Sequence, residues 1–260
     1  IMRKILISIF LFIIFLCVLI IATLSTIGFE TDKFNNIIIS KIQQTNQNVD
    51  LDIKKIKFKL DIQELGLYLE TIKPTIGYKK VDIPIKDIKV YVDFTSILKS
   101  EVRIKKIIFN LDEFNLNQLK QLSLSYFKPS NITSLLNNKV KEGVFKTEIE
   151  AYLDKENNLD NFIAKGSVSN FKLEIKNNLQ FTNSSFDFFA DKSDILLKNI
   201  FGDIGPIKIS EGDVKAIFSK EISVESNFKS KINYNKNNDN YIGLDIDFKN
   251  IKNLESLIAE

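Results

Sequence analysis

From about residue 50 onward, apolar side chains recur at every second position, and that period selects sheet over helix. Ile56, Phe58 and Leu60 alternate with Lys57 and Lys59, and Leu67 and Leu69 with Tyr68 and Glu70. Val90 and Val92 flank Tyr91, and Ile107, Phe109 and Leu111 continue the pattern. Phe171-Leu173-Ile175, Val214-Ala216-Phe218 and Leu244-Ile246-Phe248 repeat it further on. The spacing predicts antiparallel sheet with one apolar and one charged face. No stretch alternates a strand with a long helix, as a parallel sheet requires. Helices are expected only at Leu116–Leu122, after Pro129-Ser130 with Ile132, Leu135 and Leu136, and at Leu254, Leu257 and Ile258. The body is expected to be mainly β, a long antiparallel sheet.

Apolar parity flips within several of these runs. It does so at Ile53–Ile56, Ile85–Ile88, Ile104–Ile107, Val168–Phe171 and Phe248–Ile251. A flip inside a strand needs an extra residue, a bulge, and bulges bend the sheet. Either these tetrads are bulges that fold the sheet into an open, taco-like groove, or they arise by chance in a chain rich in Ile and Lys. On the first alternative the lining is Ile56, Phe58, Leu60, Leu67, Leu69, Val90, Val92, Ile107, Phe109, Leu111, Phe171, Leu173, Val214, Phe218, Leu244 and Ile246. A recurrent glycine at Gly143, Gly166 and Gly212, each followed by valine at one or two positions, hints at a hairpin-sized repeat.

The N-terminus is different in kind. Ile5 to Leu24 is almost unbroken apolar sequence, about 30 Å as a helix, which matches a bilayer's hydrocarbon core. Ile5, Phe10, Phe12, Phe15, Leu19 and Ile21 are its bulky membrane-facing side chains. A cleaved signal peptide has a shorter apolar stretch and a small-x-small site, for which Thr23-Leu24-Ser25 is a poor match, so a retained anchor is expected. Arg3 and Lys4 precede the run while Glu30 and Asp32 follow it, which places the N-terminus in the cytoplasm and the remainder across the membrane. Thr31 or Asp32 then caps a short amphipathic helix carrying Phe34, Ile38, Ile42 and Thr45. The expected organisation is an anchor over 1–28, an amphipathic capping helix over 29–46 and a β-groove domain over 47–260, either whole or truncated at its C-terminus.

Composition removes most chemistry. The 260 residues contain no His, no Trp and a single Cys, Cys17. Histidine-based triads, zinc sites and internal disulfides are therefore excluded. Neither a P-loop nor a GxGxxG motif occurs. Asp50-Leu51-Asp52 and Asp245-Ile246-Asp247 have their carboxylates on the solvent side of a strand period, without a calcium-loop glycine pattern. Basic residues are Lys apart from Arg3 and Arg103, and they interleave with acids for a net charge of +3, unlike a nucleic-acid footprint. The expectation is a non-enzyme without cofactors and without nucleic acid as a partner.

Val90-Tyr91-Val92-Asp93-Phe94-Thr95-Ser96-Ile97-Leu98, the strand Val102–Leu111 and the leucine helix after it resemble the N-terminal module of AsmA-like proteins. Gly28–Phe34 and the strand Gly166-Ser167-Val168-Ser169-Asn170-Phe171-Lys172-Leu173 are similar to segments of YhdP- and TamB-type members. The resemblance implies a single-pass protein of a Gram-negative inner membrane. Its periplasmic β-groove would be related to bridge-like lipid transfer proteins, conducting phospholipid acyl chains toward the outer membrane. It also implies involvement in outer-membrane biogenesis. The competing expectation is a membrane-tethered scaffold that acts through outer-membrane or periplasmic assembly proteins.

Overall fold

The computed structural model describes residues 2–32, 35–36, 39–40, 43, 48–64, 66–79, 81–93, 103–126, 131–156, 158–176, 179–218 and 222–232. It is a mainly β protein built on a large, unclosed antiparallel sheet. The strand order is β1 (Phe29–Thr31), β3 (Ile56–Asp61), β4 (Gly66–Ile72), β7 (Ile85–Val92), β8 (Ile104–Leu111), β10 (Val140–Leu153), β11 (Leu159–Lys176), β12 (Leu179–Ala190), β13 (Asp194–Ile204), β14 (Ile207–Phe218) and β15 (Ile222–Ile232). The short β9 (Phe114–Asn115) also pairs with β10. A second sheet of three strands joins β2 (Val49–Asp52), β5 (Thr75–Tyr78) and β6 (Val81–Ile83). Helix α1 covers Met2–Thr26, and α2 (Leu116–Tyr126) and α3 (Asn131–Asn138) lie between β9 and β10.

The chain divides into two units, one of Ile1–Gly77, Ile85–Phe109 and Ala151–Asp160, the other of Tyr78–Pro84, Asn110–Glu150 and Asn161–Glu260. In the first, α1 meets the length and apolarity of a membrane span over Lys4–Thr26. Ile5, Phe10, Phe12, Phe15, Leu19 and Ile21 are all exposed. The helix stops at Gly28, whose φ of +75° suits a residue without a Cβ. Phe29–Thr31, assigned from the sequence to the amphipathic helix, instead forms β1 on β3, because alternation begins at once after that turn. Helical residues follow at Asn35, Asn36, Ile39, Ser40 and Gln43. Buried Asn35 donates through Nδ2 to the carbonyls of Ile53 and Lys54, at 2.7 and 3.0 Å. Ile39 packs with Leu51, Ile53, Ile56, Leu69 and Ile76 in a small core.

In the second unit, Leu116–Tyr126 is helical as the leucine spacing suggests. Its start is a reciprocal cap: Asn115 N donates to Gln118 Oε1 at 2.9 Å and Gln118 N to Asn115 Oδ1 at 3.1 Å. Lys120 Nζ ties α2 to the end of α3 by donating to the carbonyls of Asn137 and Val140. The long hairpins β11 to β15 make up the rest. Phe34, Ile38, Ile42, Thr45, residues 94–102, Pro129-Ser130, and Leu244, Ile246 and everything else beyond 232 lie outside the described residues. So do the side chains of Ile132 and Leu135.

Candidate functional site: an apolar sheet face

Residues opposite one another in a ladder share a face, so register decides which side chains stand together. In the second unit one row runs Gly166, Phe188, Leu197, Val214, Ser226 across β11 to β15. A second runs Leu173, Phe181, Ile204, Ile207, Ile232. The opposite face reads Lys165, Phe189, Leu196, Lys215, Glu225 in one row and Thr182, Asp203, Lys208, Lys231 in another. No charged residue stands on the first face in these rows. Of the residues expected to line it, Phe171, Leu173 and Val214 lie well within it. Phe218 has the same parity but sits at the strand end, 38% exposed.

Bulges cross these strands on a line. Asn170 in β11, Asn183 in β12 and Asn199 in β13 all have left-handed φ, between 49° and 54°. Asparagine tolerates that region better than most residues. The register slips between Val168 and Phe171, between Thr182 and Ser185, and again in β14 between Ile209 and Glu211. Asn183 Nδ2 donates to Asp203 at 3.0 Å and Asn199 Nδ2 to Asp187 at 2.7 Å, which fixes the bulges from the charged side. Every buried residue of β11 to β14 lies beside this line: Val168, Phe181, Ser184, Ile200, Gly202, Ile209 and Gly212. Residues away from it, such as Phe188 and Ile195, are half-buried. Bulges increase local bend and twist, and a sheet creased along them packs its apolar face against itself. The parity flip at Val168–Phe171 is therefore a bulge. That at Ile53–Ile56 falls in the break between β2 and β3, and that at Phe248–Ile251 lies outside the described residues.

The recurrent glycines have a packing reason and need no repeat. Opposite Gly212 the ring of Phe228 occupies the space of a Cβ, and opposite Gly166 the ring of Phe188 comes within 3.0 Å of that position. A ring laid over a cross-strand glycine restores the buried surface that the missing side chain forfeits.

The first unit shows the same division. Ile56, Thr71 and Ile88 form one row, Phe58, Leu69 and Val90 the next, and Leu60, Leu67 and Val92 the third. The first row is buried, and Ile56 belongs to the small core at that end. Phe58, Leu60, Leu67, Leu69 and Val90 are half-buried, and Val92 is buried. In β8, Lys106 reaches the ring of Tyr91 on the charged face, 4.6 Å from its centroid. Strand alternation therefore turns Ile107 and Phe109 to the face of Val90 and Val92; Leu111, of the same parity in β8, belongs to the second unit.

The charged face of this unit is tightly organised. Tyr91 and Tyr68 stack at 5.1 Å, Tyr91 donates its hydroxyl to Asp61 Oδ2 at 2.9 Å, and Lys59 pairs with Glu70 at 2.7 Å. Burial, then the Asp61 hydrogen bond and charge, push the Tyr91 phenol well above its usual 10. Burial raises the Asp61 carboxyl, but the N–H of Glu64, the Tyr91 hydroxyl and the N–H of Gln63 outweigh it and hold it below the usual range. The raised phenol stabilises the fold fully below pH 10, and that contribution is lost as pH rises past 10. Tyr91→Phe should cost about 1–2 kcal/mol at neutral pH, since the hydrogen bond is charge-assisted. It should also flatten the alkaline fall in stability. Denaturant titrations across pH would show this, and parallel pH profiles for the two proteins would contradict it.

Asp50 and Asp52 are exposed on either side of buried Leu51, as edge charges are. Comparison with models of protein families, with curated proteins and with solved structures gave no match.

Proposed function

We propose that this protein is a membrane-anchored carrier of acyl lipids, with α1 in the inner membrane of a Gram-negative bacterium and the sheet in the periplasm. The supporting observation is the face shared by β11 to β15, uncharged in the rows from Gly166 to Ser226 and from Leu173 to Ile232 and half-buried away from the bulges. An acyl chain laid on it would gain roughly 0.8 kcal/mol per methylene withdrawn from water. Successive strands about 4.8 Å apart present similar surfaces, so no position is a deep trap and a chain can advance from strand to strand. Headgroups would stay near the sheet margin, in water. The resemblance to AsmA-like proteins agrees with this role, with phospholipid as cargo and the outer membrane as destination. No reaction and no cofactor are part of the proposal.

Phe188 and Phe189 offer a test that holds residue type constant. They are neighbours in β12, but Phe188 stands on the apolar face and Phe189 on the charged one, 44% exposed. A photo-crosslinking phenylalanine analogue at 188 should capture phospholipid in cells, and the same analogue at 189 should not. Equal lipid labelling at both, or none at 188, would overturn the proposal. Protein adducts at 189 with none of lipid at 188 would favour the tethered scaffold.

A further inference from the structure

Two large apolar side chains stand exposed just after α1: Ile27 at 67% and Phe29 at 65%. The chain does not run away from the helix there. Gly28 N donates to Thr23 O at 3.0 Å, so Gly28 remains level with the helix's last turn. A Cβ on Gly28 would stand 2.7 Å from the carbonyl oxygen of Phe58, so β3 is pressed against the same point. Phe29 pairs with Phe58, and Phe58 with Leu69, which pairs with Val90. Glu30, on the other side of β1, is held by Lys55 and Lys57 at 3.2 and 3.0 Å. Strand β1 therefore has Glu30 held within the protein on one side, while Phe29 on the other side stands exposed.

We propose that the bilayer covers that side: Ile27 and Phe29 insert into the interfacial layer of the membrane that α1 crosses and seat the edge of the sheet on its surface. The interfacial layer is about 5–7 Å deep on each side of the hydrocarbon core. Phe29 lies three residue steps beyond Thr26, which limits its distance from the end of α1 to about 11 Å even fully extended, and the turn at Gly28 shortens it. An amphipathic edge held there buries its apolar side as an interfacial helix does. The row Phe29, Phe58, Leu69, Val90 then meets the leaflet end-on. The seating depends on α1 spanning the membrane and not on lipid transfer.

The chain lacks tryptophan, so a single introduced indole reports its own surroundings. The full chain would be reconstituted in vesicles of phosphatidylethanolamine and phosphatidylglycerol, with and without lipids brominated near the headgroup end of the acyl chains. Phe29→Trp should emit to the blue of Phe201→Trp, which lies on the charged face of the second unit. Brominated lipid should quench it about twofold or more, as expected for a ring about 5–10 Å into the headgroup boundary. Ile27→Trp should behave alike and does not rely on strand pairing. Phe12→Trp, within α1, marks insertion of the helix itself. Quenching of Phe12→Trp with none at 27 and 29 would show the sheet standing clear of the bilayer and overturn the seating. Absence of quenching at all three would remove its premise. Lipid capture at Phe188 is a separate outcome, and either result can fail without the other.

Discussion

Replacing Gly166 by valine should leave the second unit largely unfolded. At this point β11 passes so close to β10 that a Cβ would overlap the carbonyl oxygen of Lys146 and lie 3.0 Å from its carbonyl carbon. The obstacle is backbone, which cannot yield without breaking the ladder between two of the longest strands. On the other side Phe188 Cε1 stands 3.0 Å away, so the side chain has no second place to go. Such a change belongs to the class costing more than about 4 kcal/mol, a large share of the roughly 5–15 kcal/mol that holds a domain together. Gly143→Ala is the informative contrast. Its new methyl group would meet the end of the Phe145 ring at 3.1 Å, which can turn aside, and Phe171 at an ordinary contact distance of 3.5 Å. Gly143→Ala should stay folded with a cost near 1 kcal/mol or less. Denaturant unfolding and limited proteolysis would separate the two. A Gly166→Val protein that unfolds at the parent's midpoint would show that the close approach of β10 and β11 is not what fixes this glycine.

Bulges decide which part of the sheet is legible in the sequence and which is not. Strand β3, β4 through Leu67 and Leu69, and β7 from Ile88 onward alternate, so Phe58, Leu69 and Val90 could be placed on one face from spacing alone, and the register joins them in one row. Strands β12 and β13 break the alternation. In β12 the left-handed Asn183 interrupts the period between Phe181 and Ser184, and in β13 Asn199 does so between Leu197 and Ile200. Phe181 and Ile200, two of the three buried residues at the centre of the larger core, were missed for that reason. The signal was present as asparagine set among apolar residues in three successive strands, a residue that accepts the left-handed conformation a bulge demands. Strand β15 hid differently: Ser226 and Ser230, opposite Val214 and Ile209, occupy its apolar-face positions, so its pattern is weak in hydrophobicity. The start of β1 was lost to its neighbours, because Thr31 and Asp32 read as a helix cap and the strand is only three residues long.

A negative charge on the apolar face should stop lipid while sparing the fold, provided it is placed where the face is open. Val92 is buried and Asp there would report on folding as much as on transfer. Val90 is half-buried, stands beside Leu69 in the register, and has nearly the volume of aspartate. An acyl chain crossing Val90→Asp must strip water from a carboxylate that finds no partner on that face. Even a penalty of about 2 kcal/mol slows passage roughly thirtyfold. Apolar surroundings raise the pKa of such a carboxyl, so acidification should neutralise it and restore passage above the usual carboxylate range. Val90→Asn, polar at every pH, should be impaired without acid recovery. Lys89→Gln, one residue along on the charged face, should move lipid like the parent, since it gives up only a distant cation contact with Tyr68 at 5.9 Å. Transfer of a fluorescent phospholipid between vesicles, followed beside thermal unfolding of each variant, reads both quantities. If Val90→Asp melts like the parent and still transfers lipid at the parent's rate at neutral pH, acyl chains do not travel over this face, and the tethered scaffold becomes the better account of the sheet.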